Sequence, residues 1–392
     1  AVVIALLVVA GGVAIWKSSR SPTSPPTEVA SVEKMAFPLP GKPSIAVLPF
    51  NNLSEDPEQE YFSDGLTEEI ISALSRVPKL FVIARNSTFT YKGKPVKVQQ
   101  VAVELGVRYV LEGSVRKGGD KVRITAQLVD ALTGNHLWSR RYDRNLEDIF
   151  AVQDEITKEI ITAMQVKLTE GEQIRATAKG TNNLEAYLKY LQANELINQL
   201  NIESNALGKK LAEEAIALDP EYPWAYFVLA RTHMIDVWLR SSKSPKQSIG
   251  KSLELLQKAI VLDDTFAEAH GRLGFLYSMI RKHDKGVVEA EKAVALNPNS
   301  ADAHFYLGKT LSFDGRWEES VPEYKKAMRL NPIPPHNHLW SLGLSYAFTG
   351  QYDEAITWCE KAVRQAPDSL LDRMMMAVVY SFSGRDEEAR AE

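Results

Sequence analysis

A single cysteine, Cys359, stands among 392 residues. That excludes an intrachain disulfide and any metal site built on several thiolates. An excess of one charge is also missing: 46 Lys and Arg face 50 Asp and Glu, for a net charge of -4. A chain so balanced lacks the broad basic face that carries non-specific affinity for nucleic acid, so no nucleic-acid partner is expected of it. The phosphate-cradling pattern G-x-x-x-x-G-K-[ST] is absent, although Tyr91-Lys92-Gly93-Lys94-Pro95 brings glycine close to lysine. With 45% hydrophobic and 24% charged residues, the composition excludes a wholly disordered chain and a collagen-like fibre. The length predicts two or three folded units.

The one long apolar run is AVVIALLVVAGGVAIW, residues 1–16. As a helix it would span roughly 24 Å, short of the roughly 30 Å hydrocarbon core. Trp16, Lys17 and Arg20 follow as an interfacial aromatic and snorkelling cations. A truncated transmembrane helix is the expectation. A signal peptide would need a basic leading region and a small-residue cleavage site, and neither is clean here. Lys17 and Arg20 alone would place the downstream part on the cytoplasmic side. Residues 17–43, rich in Ser and Pro, read as a semi-extended tether. The last residues, GRDEEARAE, break off within an amphipathic segment. The chain is therefore expected to be a piece of a longer protein.

Residues 44–175 read as an α/β unit with a mixed sheet. SIAVLPF (44–50) and LFVIA (80–84) are short apolar runs of strand type. Asp56-Pro57 supplies a cap and a first-turn proline for a helix to Val77, with Phe62, Leu66, Ile70, Ile71 and Leu74 on one face. A short helix at 96–105 ends at Gly106. VRYVLEGSVRK, KVRITAQLVD and HLWSRRYD predict three strands joined at Gly118-Gly119-Asp120 and Thr133-Gly134, and a helix from Leu146 to Leu168 closes the unit.

From Asn183 a repeat takes over. Asp219-Pro220, Asp263-Asp264, Asn297-Pro298, Asn331-Pro332 and Ala366-Pro367 each end a helix, the last three intervals being 34, 34 and 35 residues. Ala230, Gly274, Gly308, Gly343 and Ala377 recur where two helices must touch, and Ala215, Ala259, Ala293, Ala327 and Ala362 recur late in each second helix. The unit resembles the tetratricopeptide repeat, with LGFLY, LGKTL and LGLSY as close consecutive copies. The all-α solenoid is expected over 183–392, as four units and a truncated fifth, the first poorly matched in its leading helix.

FSDGLTEEI, GVRYVLEGSVR and TGNHLWSRRYDR together make residues 44–145 similar to the amino-terminal domain of TolB and related FlgO-type domains. The resemblance implies a single membrane helix before the module and an effector upstream of it: a class III adenylate cyclase, a winged-helix domain or a protein kinase. It implies a bacterial inner-membrane protein, single-pass, with its soluble part in the periplasm.

No catalytic set emerges from the residues. Asp64, Glu68 and Glu69 could serve acid–base chemistry but read as a solvated helix face. His136 reads as packed or exposed, and Arg140, Arg141 and Arg144 as surface pairs. His270, His283, His304, His336 and His338 follow the repeat and do not form a metal pair, and Cys359 reads as an inert packed thiol. Neither cofactor nor metal is expected. The family resemblance places groove-lining positions of each first helix at Trp224, Phe227, Arg231, Phe275, Phe305, Lys309, Trp340, Leu344 and Met374. These suit an apolar or amphipathic peptide, with Arg231 and Lys309 able to meet acidic groups. The expected function is a membrane-tethered sensory or scaffold segment that binds a protein partner, with a homodimer open. Its alternatives are the regulatory half of an adenylate cyclase and a small-molecule sensor near Asp64 and Arg140.

Overall fold

The structure, a computed structural model, describes residues 29–169 and 180–392. The expected helix at 1–16 and the tether's residues 17–28 lie outside the described residues. Among those described, no helix is long and apolar enough to cross a membrane.

The first unit is a mixed sheet with helices packed against it. Its strands are β1 (Ser44–Val47), β2 (Asn51–Asn52), β3 (Phe81–Val82), β4 (Tyr109–Gly118), β5 (Lys121–Asp130) and β6 (Asn135–Asn145). Their order is β3-β1-β4-β5-β6, with β2 beside β4. β1 pairs in parallel with β3 and β4, whereas β4, β5 and β6 form an antiparallel meander. Gly119 turns the first hairpin at φ +57° and Gly106 stops a helix at φ +63°, left-handed conformations in which a side chain would be strained. Helices α1 (Glu60–Ser75), α2 (Arg85–Phe89), α3 (Val98–Leu105) and α4 (Ile149–Ala163) complete the unit. Neither α2 nor β2 has a sequence signal, being too short to show a period. The Asp56 carboxylate accepts from the Glu58 amide at 2.9 Å and leads the chain into α1. The apolar stripe Phe62, Leu66, Ile70 and Leu74 is then buried together with Leu111, Ile124 and Leu128 of the sheet.

The second unit is a stack of helical hairpins. Hairpin 1 is Leu184–Ile197 with Ile202–Leu218, hairpin 2 Pro223–Trp238 with Pro245–Leu262, and hairpin 3 Ala267–Met279 with His283–Leu296. Hairpin 4 is Ala301–Phe313 with Trp317–Leu330, hairpin 5 His336–Phe348 with Tyr352–Gln365, and a sixth pairs Leu370–Phe382 with the short Asp386–Ala391. Five complete hairpins thus precede the short one, one more than the sequence expectation. The weakly patterned leading helix of hairpin 1 is the reason, since it packs on α1 as well as on hairpin 2. The small residues do what their spacing implies. A Cβ on Gly343 would lie 2.5 Å from the Cys359 sulfur, and one on Gly274 would lie 2.6 Å from the Gly286 carbonyl oxygen. Ala215, Ala259, Ala293, Ala327 and Ala362 are all buried.

The two units are fused. One apolar cluster runs from Ile45 and Leu66 through Tyr187 and Tyr222 to Phe275 and Leu276. Gly65 allows the approach, because a Cβ there would stand 2.5 Å from Leu191 of hairpin 1. The turns after hairpins 3 and 4 grip the other end of the module. Asn299 Nδ2 donates to the Ser75 and Val77 carbonyls at 3.1 and 2.9 Å, and Asn297 Nδ2 to Ser75 Oγ at 2.9 Å. Ser87 Oγ donates to Asn331 Oδ1 at 2.6 Å, and the Arg329 guanidinium donates to the Gly106 carbonyl at 2.9 Å.

Candidate protein-binding face

The first helices of successive hairpins stand side by side, so residues three and four apart on each form one continuous face. Of the nine residues that the repeat places there, three are buried: Phe227, Phe275 and Phe305. Phe227 packs on Trp224 and Phe266 with ring centroids 5.7 and 5.2 Å away. Phe275 lies 5.8 Å from Tyr306 and 5.7 Å from Phe313, and Phe305 stacks on His338 at 3.5 Å. These rings join neighbouring hairpins, and their faces are not offered to a partner. Arg231 donates to Asn194 at 2.7 Å and Asn198 at 2.8 Å. Asn194 in turn donates to Glu68 of α1 at 3.1 Å. Arg231 thus ties the repeats to the module. Burial and the nearby Arg272 push its pKa down to about 10.

Trp224 belongs to the junction as well, lining a cavity of about 40 Å³ with Glu69, Arg76 and Tyr187. The remaining four groove positions, Lys309, Trp340, Leu344 and Met374, keep surface open, Met374 being 51% exposed. Lys309 gathers part of the set. Its ammonium stands 4.9 Å from the Phe275 ring centre, 5.5 Å from that of Phe305 and 5.2 Å from that of Trp340. Two more contributors escaped the sequence reading, Arg272 and Tyr306. The Arg272 guanidinium sits 5.3 Å from the Phe227 ring and 5.0 Å from that of Tyr306. Both are the sixth residue of their helices, one turn from the positions carried over from the repeat pattern. The helical period of 3.6 would have pointed to them.

The other candidates resolve into structural roles. Asp64 is buried beneath Lys92 at 2.5 Å, which corrects its reading as part of a solvated face. Burial is also the main reason its pKa is raised. Glu68 pairs with Arg85 at 3.1 Å, and Glu69 faces Arg76, Glu268 and the repeats. Arg140, Arg141 and Arg144 lie 3.6, 3.0 and 3.5 Å from Glu159, Asp143 and Glu155, and His136 is exposed. Asp64 and Arg140 therefore serve separate networks and do not converge on one small-molecule site.

His270 and His304 repeat one device, each bonding a glutamate of its second helix, Glu289 at 2.5 Å or Glu323 at 2.6 Å, and a turn carbonyl at 3.1 Å. His336 reaches Asp372 of the next hairpin at 2.7 Å. His283 lies 4.0 Å from Asp314. His338 is held neutral, its pKa pushed down to about 3 by burial. Cys359 is buried, and its thiol pKa is pushed up to about 12.

Residues 41–168 match the family described as HilA/YgeH-like transcriptional regulator, second domain, and not the TolB-type domain expected for this module. Tetratricopeptide-repeat families match residues 289–321 and 307–369. The carboxy-terminal half is a tetratricopeptide-repeat solenoid. The chain is 44% identical over 273 residues to a protein of Rhizobium meliloti named putative adenylate cyclase 3, an alignment covering 69% of this chain. It spans 46% of that relative's length.

Among solved structures, a thermophilic repeat protein of Thermus thermophilus aligns at 19% identity and TM-score 0.40, covering 49% of this chain and 99% of that one. The type IV pilus biogenesis factor PilW aligns at 16% identity and TM-score 0.42, covering 53% and 89%.

Proposed function

We propose that this chain is the partner-binding, regulatory half of a larger signalling protein whose effector is an adenylate cyclase. The observation that carries the reading is the division of the first-helix face. Its early part is committed to the α/β module through Gly65, Glu68, Arg231 and Trp224. Its later part leaves Lys309, Trp340, Leu344 and Met374 accessible beside a rim of exposed rings, Phe313, Phe348 and Phe382. A protein segment laid along that later part would bury apolar surface that now faces water. Ordering the hairpins it spans would be passed through hairpin 4 to the turns at Asn297–Asn299 and Asn331, which hold the module. Partner binding then shifts the balance between docked and loosened module, and the effector senses that shift. In this reading residues 1–16 anchor the protein in a bacterial inner membrane, with the soluble part in the periplasm. The kinship to a protein named as a cyclase supports the choice of effector.

The test is cyclic AMP output from the full-length protein in cells. Trp340→Ala is expected to change output severalfold at unchanged protein level. Unchanged output from both Trp340→Ala and Met374→Ala would sink the proposal.

A further inference from the structure

Arg231, Arg272 and Lys309 follow one another along the first-helix face, and none forms an ion pair with a carboxylate among the described residues. Elsewhere on the solenoid pairing is common: Lys189 with Glu214, Arg316 with Glu319, Lys326 with Glu323, Arg385 with Glu388. Glu68 and Asp302 act on Arg231 only at longer range. Arg231 at least has two asparagine oxygens. Arg272 bonds to the Tyr306 hydroxyl, and both it and Lys309 rest on aromatic rings, which attract a cation weakly and leave its charge without a carboxylate. The two sites adjoin, because the Phe275 ring beneath Lys309 packs on the Tyr306 ring beside Arg272. Next to Lys309, the Trp340 indole N–H is buried and has no acceptor among the described residues. An unmet donor and an unpaired ammonium, each partly removed from water, are costly to keep unless something supplies oxygen atoms.

We infer that the occupant of this face is an extended acidic peptide whose carboxylates pair with Arg272 and Lys309, one oxygen near Lys309 accepting from the Trp340 N–H. This rests on the partner-binding reading above and names the chemistry of the partner. Charge complementarity selects it: a basic or neutral peptide would leave both cations unpaired and further desolvated. A single-stranded nucleic acid fits less well. Three cations on a chain of net charge -4 do not make the continuous basic groove that tracks a phosphate backbone. Carboxylates have two sources, acidic side chains or a free chain terminus.

The experiment uses the full chain and fluorescent ten-residue peptide pools, degenerate in apolar residues, with three fixed positions that are all Glu, all Gln or all Lys. Each pool is made with a free and an amidated terminus, and a ten-nucleotide RNA is run beside them. Anisotropy should show the Glu pool binding about tenfold more tightly than the Gln pool, a preference that falls as salt rises. Lys309→Met should remove most of that preference and leave Gln-pool binding in place, while Lys309→Arg should keep it. Retention of the Glu preference after amidation assigns the side chains as the source. A loss of affinity on amidation, shared by the Glu and Gln pools, assigns the terminus, and either result supports the inference. Equal binding of Glu and Gln pools that amidation leaves unchanged overturns the acidic assignment and leaves partner binding standing. Binding of the RNA in preference to every peptide overturns it in favour of nucleic acid. No binding by any probe, with far-UV dichroism showing an intact fold, removes both readings.

Discussion

Lys309 shows what a binding residue costs while it waits. Burial among three rings pulls its pKa down to about 8 from an ordinary 10.5. The folded chain therefore holds this proton less tightly than the unfolded chain does. Stability from this group is present above about 10.5, falls as pH drops through about 8, and is lowest at neutral pH. Replacing the charge while keeping an unbranched apolar chain should remove the penalty. Lys309→Met is expected to stabilise the fold at pH 7 by on the order of 1 kcal/mol, the partly open side chain moderating the effect. The gain should disappear by pH 10.5, and thermal melts at the two pH values measure it. An equal shift at both would mean that the ammonium is already well solvated. The same residue also marks how far sequence reasoning reaches. Position within the repeat placed Lys309 on the first-helix face, but its aromatic cage comes from three separate hairpins. Arg272, one helical turn from a named position, went unseen because only the repeat's own groove positions were carried over.

Helix α1 (Glu60–Ser75) is where the two units meet, and its sequence carries two marks of that contact. Glycine in mid-helix costs about 1 kcal/mol against alanine. At Gly65 it is needed because Leu191 approaches to 2.5 Å of where a Cβ would be. Gly65→Val should therefore loosen the junction, and the paired Leu191→Ala should restore part of the loss in thermal melts. Glu69, on the same helix, faces Glu68 and Arg76 of its own segment and Glu268 of hairpin 3, and Tyr187 and Tyr190 of hairpin 1 lie within its field. Burial pushes its pKa up to about 7 from 4.5. The docked state thus binds this proton more tightly than the open state, so docking is strongest below 4.5 and weakens as pH rises to about 7. Glu69→Gln, which cannot ionise, should raise the melting temperature at pH 8 and leave it nearly unchanged at pH 4.5. A gain of equal size at both would assign the effect to packing. The helix itself was legible, from its cap and its apolar stripe. Its acidic face was read as solvated because a sequence shows which residues share a face, not what covers that face.

At the scale of the molecule, periodicity made the architecture readable and docking did not. A repeat of 34 residues announces itself in glycines and alanines, and alternating runs announce strands. Asn297 read only as helix-stopping punctuation and Asn299 carried no signal, yet both are buried and hold the end of α1. Contacts made once leave no pattern to find. The apolar clusters divide the chain at a different place from the domain boundary. One unites the module with hairpins 1 to 3, a second joins hairpin 4 with hairpins 5 and 6, and only two smaller ones bridge them, through Ala301 and Leu330 to the module and through Leu307 and Leu311 to Val287 and Ala290 of hairpin 3. Repeat stacks gain stability from neighbour to neighbour, so cooperativity weakens where the core narrows to such small clusters. Amide exchange should accordingly show the module and hairpins 1 to 3 opening as one unit, and hairpins 5 and 6 opening earlier, near the accessible part of the binding face. Asn299→Ala removes the bonds to Ser75 and Val77 and should speed exchange in α1 without altering hairpin 6. If α1 and hairpin 6 instead responded together, the solenoid would be one cooperative body. A partner bound at Trp340 would then act on the module by stiffening the whole stack, not by pulling at its turns.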